Sequence, residues 1–305
     1  MLLVTVCLWG FNFTVTKYVL THGFRPLAYS SLRYAGAAML FSGLTYRLEG
    51  RLSVRRRDLP LLLLAAAVGI WINQLTYMYA VKLTTATTVA LILGTTPIFA
   101  ALIARAVGLE RLSRLFWAAS VVSFVGVALV ALGSGGGLSG DVGGDLLAIL
   151  AAATWAAYSV MVAPLMRSYS PYQISAFVLV AGWIPLAVTA ASQLRAQDWG
   201  AIGWLDWLCL GYALLGPLVL TNILWFTAID RVGPSRATLF ANLQPFVAAI
   251  FALAILSERI TALQVVGGIA IGAGILLAGS ERLRRVRSRV PPAEERVPST
   301  KAAAR

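Results

Sequence analysis

The sequence predicts an all-α polytopic membrane protein, with ten transmembrane helices arranged as two inverted five-helix repeats. Three observations carry that expectation. Of the 305 residues, 59% are apolar and 12% charged, with a mean hydropathy of +0.80, which leaves too few polar side chains for a water-facing exterior. Apolar runs of about 20 residues, the length that crosses the hydrocarbon core of a bilayer, follow one another almost without pause. The chain also repeats itself, as a single shift places Ala80 on Ala228 and Pro97 on Pro245. This composition excludes a globular enzyme, a disordered chain and a secreted disulfide scaffold.

Each predicted span is an apolar run closed by a breaker. The first, 2–20, stops at the turn holding His22, Gly23 and Pro26, and the second, 27–46, at Arg47 and the Arg51 to Arg57 cluster. Spans 59–81 and 85–107 end at Lys82 and at Glu110-Arg111. Span 115–132 runs into a glycine-rich stretch, 133–144, which reads as an external linker between the halves. Spans 145–163, 172–191 and 207–229 are closed by Arg167, Arg195 and Arg231, span 236–256 by Glu258-Arg259, and span 261–279 by a basic tail. The domains are therefore 1–132, the linker 133–144, 145–279, and a polar, proline-rich disordered tail at 280–305. The first run lacks the basic start and cleavage pattern of a signal peptide and begins almost at residue 1, so a few further residues are expected upstream.

Charge sets the orientation. With 25 basic and 12 acidic residues the net charge is +13. A cytoplasmic N-terminus sends Arg47, Arg51, Arg55, Arg56, Arg57, Arg111, Arg114, Arg167, Arg231 and the tail arginines to one side, leaving Arg25, Lys82, Arg195 and Arg259 opposite. The excess therefore reads as membrane topology in a cytoplasmic (inner) membrane, with both termini cytoplasmic, rather than as nucleic-acid binding. Cys7 and Cys209 fall inside apolar runs and imply no disulfide or metal framework. No cofactor, zinc or phosphate-loop motif occurs.

The repeat is gapless over 75–131, where it also places Ala104 on Ala252, Glu110 on Glu258, Arg111 on Arg259 and Gly126 on Gly274. Trp9 answers Trp155 and Pro26 answers Pro171 at slightly smaller shifts. Five spans per half is an odd number, so the second half enters the bilayer upside down. That architecture places one substrate site near the midplane between the halves.

These residues carry a resemblance. Trp9-Gly10-x-Asn12-Phe13, Leu32-Arg33-Tyr34, Thr96-Pro97 and Glu110-Arg111-Leu112-Ser113 resemble the EamA-type branch of the drug/metabolite transporter superfamily. Trp155-Ala156-x-Tyr158, Gln244-Pro245 and Ser257-Glu258-Arg259-Ile260-Thr261 resemble the same unit again. The resemblance implies a ten-helix exporter or permease of small metabolites with a cavity lined by spans 1, 3, 4, 6, 8 and 9. The counterpart of Arg33 falls near Val178, so any role of that arginine is asymmetric.

Polar groups inside a bilayer are site candidates. Span 3 offers Asn73, Gln74 and Tyr77, with Asn73 and Tyr77 on one helical face, and span 8 answers with Asn222 and Trp225. Span 1 adds Trp9, Asn12 and Thr16, span 6 adds Trp155 and Tyr158, and spans 4 and 9 add Thr96 and Gln244. Amides bond carboxylates or ammonium groups, and indole and phenol rings stack on ligands. Interhelical packing is the competing role for each. Arg33 either binds a substrate carboxylate or anchors neighbouring carbonyls near the external face, and Lys17 snorkels to that face. Pro97 and Pro245 kink spans 4 and 9, with Thr95, Thr96, Asn242 and Gln244 recapturing freed groups or touching substrate. Glu110-Arg111 and Glu258-Arg259 read as structural turns, with Ser113 and Thr261 capping the spans that follow.

The acids all lie at span ends, in loops or in the tail, which disfavours proton-coupled export of cationic drugs. Amino acids or related metabolites are the favoured substrates, moved by a secondary carrier through alternating access. A non-transporting sensor or assembly subunit is the alternative. An intramembrane lipid-modifying enzyme is disfavoured because no His, Asp, Glu and Cys cluster at one depth. The lipid bilayer and a small molecule are the expected partners, with no nucleic acid. Gly268 and Gly272 form a small-residue surface suited to internal packing or to a homodimer.

Overall fold

A segment that enters lipid must satisfy its backbone hydrogen bonds internally, and helix is the regular structure found throughout the described residues. The computed structural model describes residues 1–50, 53–83, 86–110, 112–133, 142–247, 250–251 and 261–287. Its helices are α1 (Leu2–Thr21), α2 (Pro26–Glu49), α3 (Leu59–Leu83), α4 (Ala86–Leu93), α5 (Thr96–Ala106) and α6 (Arg114–Gly133). They continue as α7 (Val142–Leu165), α8 (Pro171–Arg195), α9 (Trp204–Val232), α10 (Pro234–Ala241) and α11 (Ala262–Arg287). Five of these, α1, α3, α7, α8 and α9, are long and apolar enough to cross a bilayer on their own, and 91–106, 114–130 and 262–278 are shorter apolar stretches. The chain is a helical, multi-pass membrane protein.

Two departures from the predicted spans shape the interior. The fourth span is two helices, α4 and α5, broken at Gly94 and Thr95, whose amides bond back three residues to Leu91 and Ile92. The break precedes Pro97, which has no N–H to offer the Leu93 carbonyl. The Thr96 hydroxyl donates to that carbonyl instead at 2.6 Å, and Thr95 donates to Ile92 at 2.6 Å. The ninth span breaks likewise after α10, at Asn242 and Leu243, ahead of Pro245. Within α3 and α9 the helix widens to π geometry over Ala67–Ile72 and Leu215–Leu220, at the same register of the repeat as the two breaks.

Helix ends show how corresponding helices lie. The N-terminus of α2 has backbone donors without intrahelical partners. Gln197 and Gln193, at the end of α8, accept from the amides of Arg25 and Leu27 at 2.8 and 2.9 Å. At the far end Ser170, the N-cap of α8, donates to Glu49 of α2. The two helices thus run antiparallel. So do α6 and α11, whose backbones nearly touch, since a Cβ on Gly126 would meet the Gly267 carbonyl at 2.6 Å and one on Gly274 the Ala119 carbonyl at 2.7 Å. The close internal surface of α11 therefore uses Gly267 and Gly274. Of the predicted pair, Gly268 lies against the Phe246 ring and Gly272 faces open space.

Ser113 caps α6 by accepting from the Phe116 amide, and Thr261 and Gln264 form the expected reciprocal cap of α11. The linker residues 134–141, Arg111, Glu258-Arg259, the tail from 288 and the side chain of Lys17 lie outside what is described.

Candidate functional site

The π segments and helix breaks converge on one cavity of about 190 Å³. Its wall is built from equivalent positions of the two halves. Ile70 and Leu218 come from the widened turns, and Asn73 with Thr221 and Gln74 with Asn222 from the turns after them. Leu93 with Ala241, Gly94 with Asn242, and Thr96 with Gln244 come from the two breaks. Trp9, Asn12, Trp155 and Tyr158 complete the wall from α1 and α7.

Of the thirteen residues expected from sequence, eleven line this cavity: Trp9, Asn12, Arg33, Asn73, Gln74, Tyr77, Thr96, Trp155, Tyr158, Asn222 and Gln244. Thr16 and Trp225 are not on the wall. Trp225 is fully buried behind it, with its ring centroid 4.9 Å from that of Trp9 and 6.0 Å from that of Trp155. Thr16 is buried in α1 with no partner for its hydroxyl. Pro245 reaches the wall, whereas Pro97 is buried outside it. Residues not expected there include Tyr34 on α2 and Val127 on α6, so the wall also draws on spans 2 and 5.

The polar wall is held by specific bonds. Asn73 donates from Nδ2 to the Ala151 carbonyl and the Thr154 hydroxyl of α7, at 2.9 and 3.1 Å. In the other half the Trp9 indole donates to the Pro217 carbonyl and the Thr221 hydroxyl of α9, at 2.9 and 3.0 Å. Each half thus ties its widened helix to the first helix of the other half, with Asn73 and Thr221 at matching register. Asn242 donates to Ser123 of α6 at 3.1 Å, which fixes the second break.

Arg33 is 6% exposed. Its Nη2 donates to Gln74 Oε1 at 3.2 Å, its guanidinium carbon lies 5.4 Å from the ring centroids of both Tyr29 and Tyr34, and its Nε has no partner. Another part of the wall is aromatic. Trp9 and Trp155 meet edge to face at 5.6 Å, and Tyr158 packs on Trp155 at 5.5 Å. Gly69 in the widened turn of α3 makes room for the Tyr158 ring.

Below α5, Glu110 reaches the chain reversal at Gly233 (φ 86°), where α10 begins. Burial holds its carboxyl above the ordinary carboxylate range, against the opposing pull of Ser235 and Arg236. Among the described residues no cluster of His, Cys, Asp and Glu could hold a metal.

Comparison with known proteins bears on the arrangement. The model of the EamA-like transporter family matches twice, over residues 1–132 and 142–280. The chain is 25% identical to the uncharacterized transporter YyaM of Bacillus subtilis (strain 168), over 88% of this chain and 89% of the relative. It is 26% identical to a probable terminal-alkyne amino-acid exporter of Streptantibioticus cattleyicolor, over 95% and 96% of the two chains. It is also 26% identical to a probable amino-acid metabolite efflux pump of Salmonella typhimurium (strain LT2), over 90% and 92%. A protein crystal structure superposes with a TM-score of 0.77 at 18% identity, covering 93% of this chain and 96% of the other, which shows a shared fold.

Proposed function

Since the chain belongs to the EamA-like transporter family and is a transporter rather than an enzyme, we propose that it is a secondary carrier that exports small organic metabolites, amino acids or their relatives first, by alternating access around the central cavity. One observation carries this reading: six pairs of repeat-equivalent residues, drawn from in or beside the widened or broken turns, line a single cavity. Unwound and π-helical turns lower the cost of bending a helix, and here they sit where the two halves meet. In this reading the units are two inverted five-helix repeats, antiparallel at α2 and α8 and at α6 and α11. The breaks at Gly94 and Asn242 act as hinges. In the same reading the arginine-rich loops and both termini are cytoplasmic, as the bias of basic residues to one side supports. The names of two relatives, an amino-acid exporter and an amino-acid metabolite efflux pump, favour the same substrate class.

The purified protein in liposomes, tested for counterflow of pooled labelled amino acids beside an Asn73→Ala, Gln74→Ala double variant, provides the test. Accumulation by the wild type, lost in a folded double variant, is the expected result. Accumulation undiminished in the variant would move the site elsewhere. Absence of flux with amino acids and with a wider metabolite panel would favour a sensor or assembly subunit.

A further inference from the structure

Arg33 is the one basic side chain on the cavity wall among the described residues. Everything around it is neutral: the Gln74 amide and the rings of Tyr29 and Tyr34. Among the described residues no Asp or Glu lines the cavity. A guanidinium has five N–H donors in a fixed fork, and at least one of these, on Nε, is buried without an acceptor. A buried cation without a counter-charge is unfavourable, and an anion entering the cavity relieves that state.

The remaining wall defines the rest of the guest. Trp9, Trp155 and Tyr158 offer an apolar, aromatic surface, and the Asn12 Oδ1 beside them is a buried acceptor without a donor. An amide N–H satisfies that acceptor without bringing charge. An ammonium group there would lose its water and find no carboxylate. We propose that the cavity selects net-anionic carboxylates with an apolar or aromatic body, such as N-acylated or deaminated relatives of amino acids, over the parent zwitterions. Arg33 binds the carboxylate and the indole wall receives the body. The proposal rests on the carrier reading above and narrows its substrate class. It also makes transport electrogenic when the anion moves alone, since no wall acid balances the charge.

The test uses four labelled compounds sharing one ring: N-acetyl-L-phenylalanine and phenylpyruvate as anions, L-phenylalanine as zwitterion, and L-phenylalaninamide as cation. Flux into liposomes holding the full chain is measured with and without an imposed potential, in chloride and in gluconate buffer. Both anions are expected to move at least tenfold faster than L-phenylalanine, with rates that follow the potential as a negative charge must. Arg33→Gln should remove that preference, while Arg33→Lys, which keeps the charge and guards against mere misfolding, should keep part of it. L-phenylalanine moving as fast as the anions would overturn the proposal and leave the carrier reading standing. Preference unchanged in both Arg33 variants would also overturn it.

If none of the four compounds moves, the carrier reading fails for this class, and tryptophan fluorescence of the solubilised protein decides the site separately. Quenching by the anions alone supports the anion site, and equal or absent responses overturn it. Chloride that saturates the response without competition from the organic anions would assign Arg33 to an inorganic ion and also overturn it.

Discussion

Replacing Gly69 with alanine places one methyl group where the Tyr158 ring now lies. The added Cβ would overlap Tyr158 Cδ2 and Cγ and come within 2.7 Å of Tyr158 Cβ. Carbon pairs prefer about 3.5–4.0 Å, and no rotation of the ring moves its own Cβ, so α3 and α7 must separate or the backbone must shift. Overpacking of this kind costs about 1–3 kcal/mol. The shift is transmitted directly to the cavity, because Tyr158 lines it and rests on Trp155 and Phe226 with centroids 5.5 and 6.0 Å away. Thermal unfolding in detergent and flux in liposomes should therefore both suffer. The reasoning is checked by a cycle with Tyr158→Gly, which removes both the ring and its Cβ, at its own cost of about 3–5 kcal/mol for a buried aromatic and about 1 kcal/mol for glycine in a helix. In the Tyr158→Gly background Gly69→Ala should cost little, giving a coupling of about 0.5–3 kcal/mol. Additive losses, or a Gly69→Ala protein as stable as wild type, would refute the account of Gly69 as a space for the ring.

Three further outcomes are expected. Ser123→Ala leaves the buried Asn242 amide without its acceptor and should destabilise by about 1–3 kcal/mol, whereas Ser123→Ala with Asn242→Leu, which removes both partners, should recover much of that loss in the same melting assay. Trp9→Phe keeps an aromatic ring but deletes the N–H bonded to Pro217 and Thr221, so it should cost about 0.5–1.5 kcal/mol and slow counterflow. Glu110 has its carboxyl raised above 4.5, so the native state holds a proton more tightly than the unfolded chain. Its contribution is full below 4.5 and is lost as pH rises through the raised value, so melting temperature should fall across that window in wild type and more shallowly in Glu110→Gln.

Much of the candidate cavity wall is legible in the sequence because a polar side chain in an apolar run needs a reason to be there. Asn73, Gln74, Asn222 and Gln244 were found that way, and Trp9 and Trp155 through the repeat. Thr221 was missed because a hydroxyl that bonds its own helix is unremarked in a membrane span. The repeat itself pointed to it, since Thr221 stands where Asn73 stands in the first half. Tyr34 was quoted only as part of a motif, although it adjoins Arg33. Trp225 lies behind the wall rather than on it, because register gives a residue's equivalent but not its depth. The proline kinks are legible as breaks, yet their positions at Gly94 and Asn242, three residues before each proline, are not, and at the first break the Thr96 hydroxyl replaces the donor that the Leu93 carbonyl loses. The π turns left no sequence signal, because an extra residue in one helical turn changes no residue type.

That extra residue marks the repeating unit. A π turn holds one residue more than an α turn, and both halves hold theirs at the same register, Ala67–Ile72 and Leu215–Leu220. Two separate insertions landing on one position would be a coincidence, whereas a single insertion copied by duplication needs none. The two bulges are therefore one feature of the repeating unit, carried by each half at the same register.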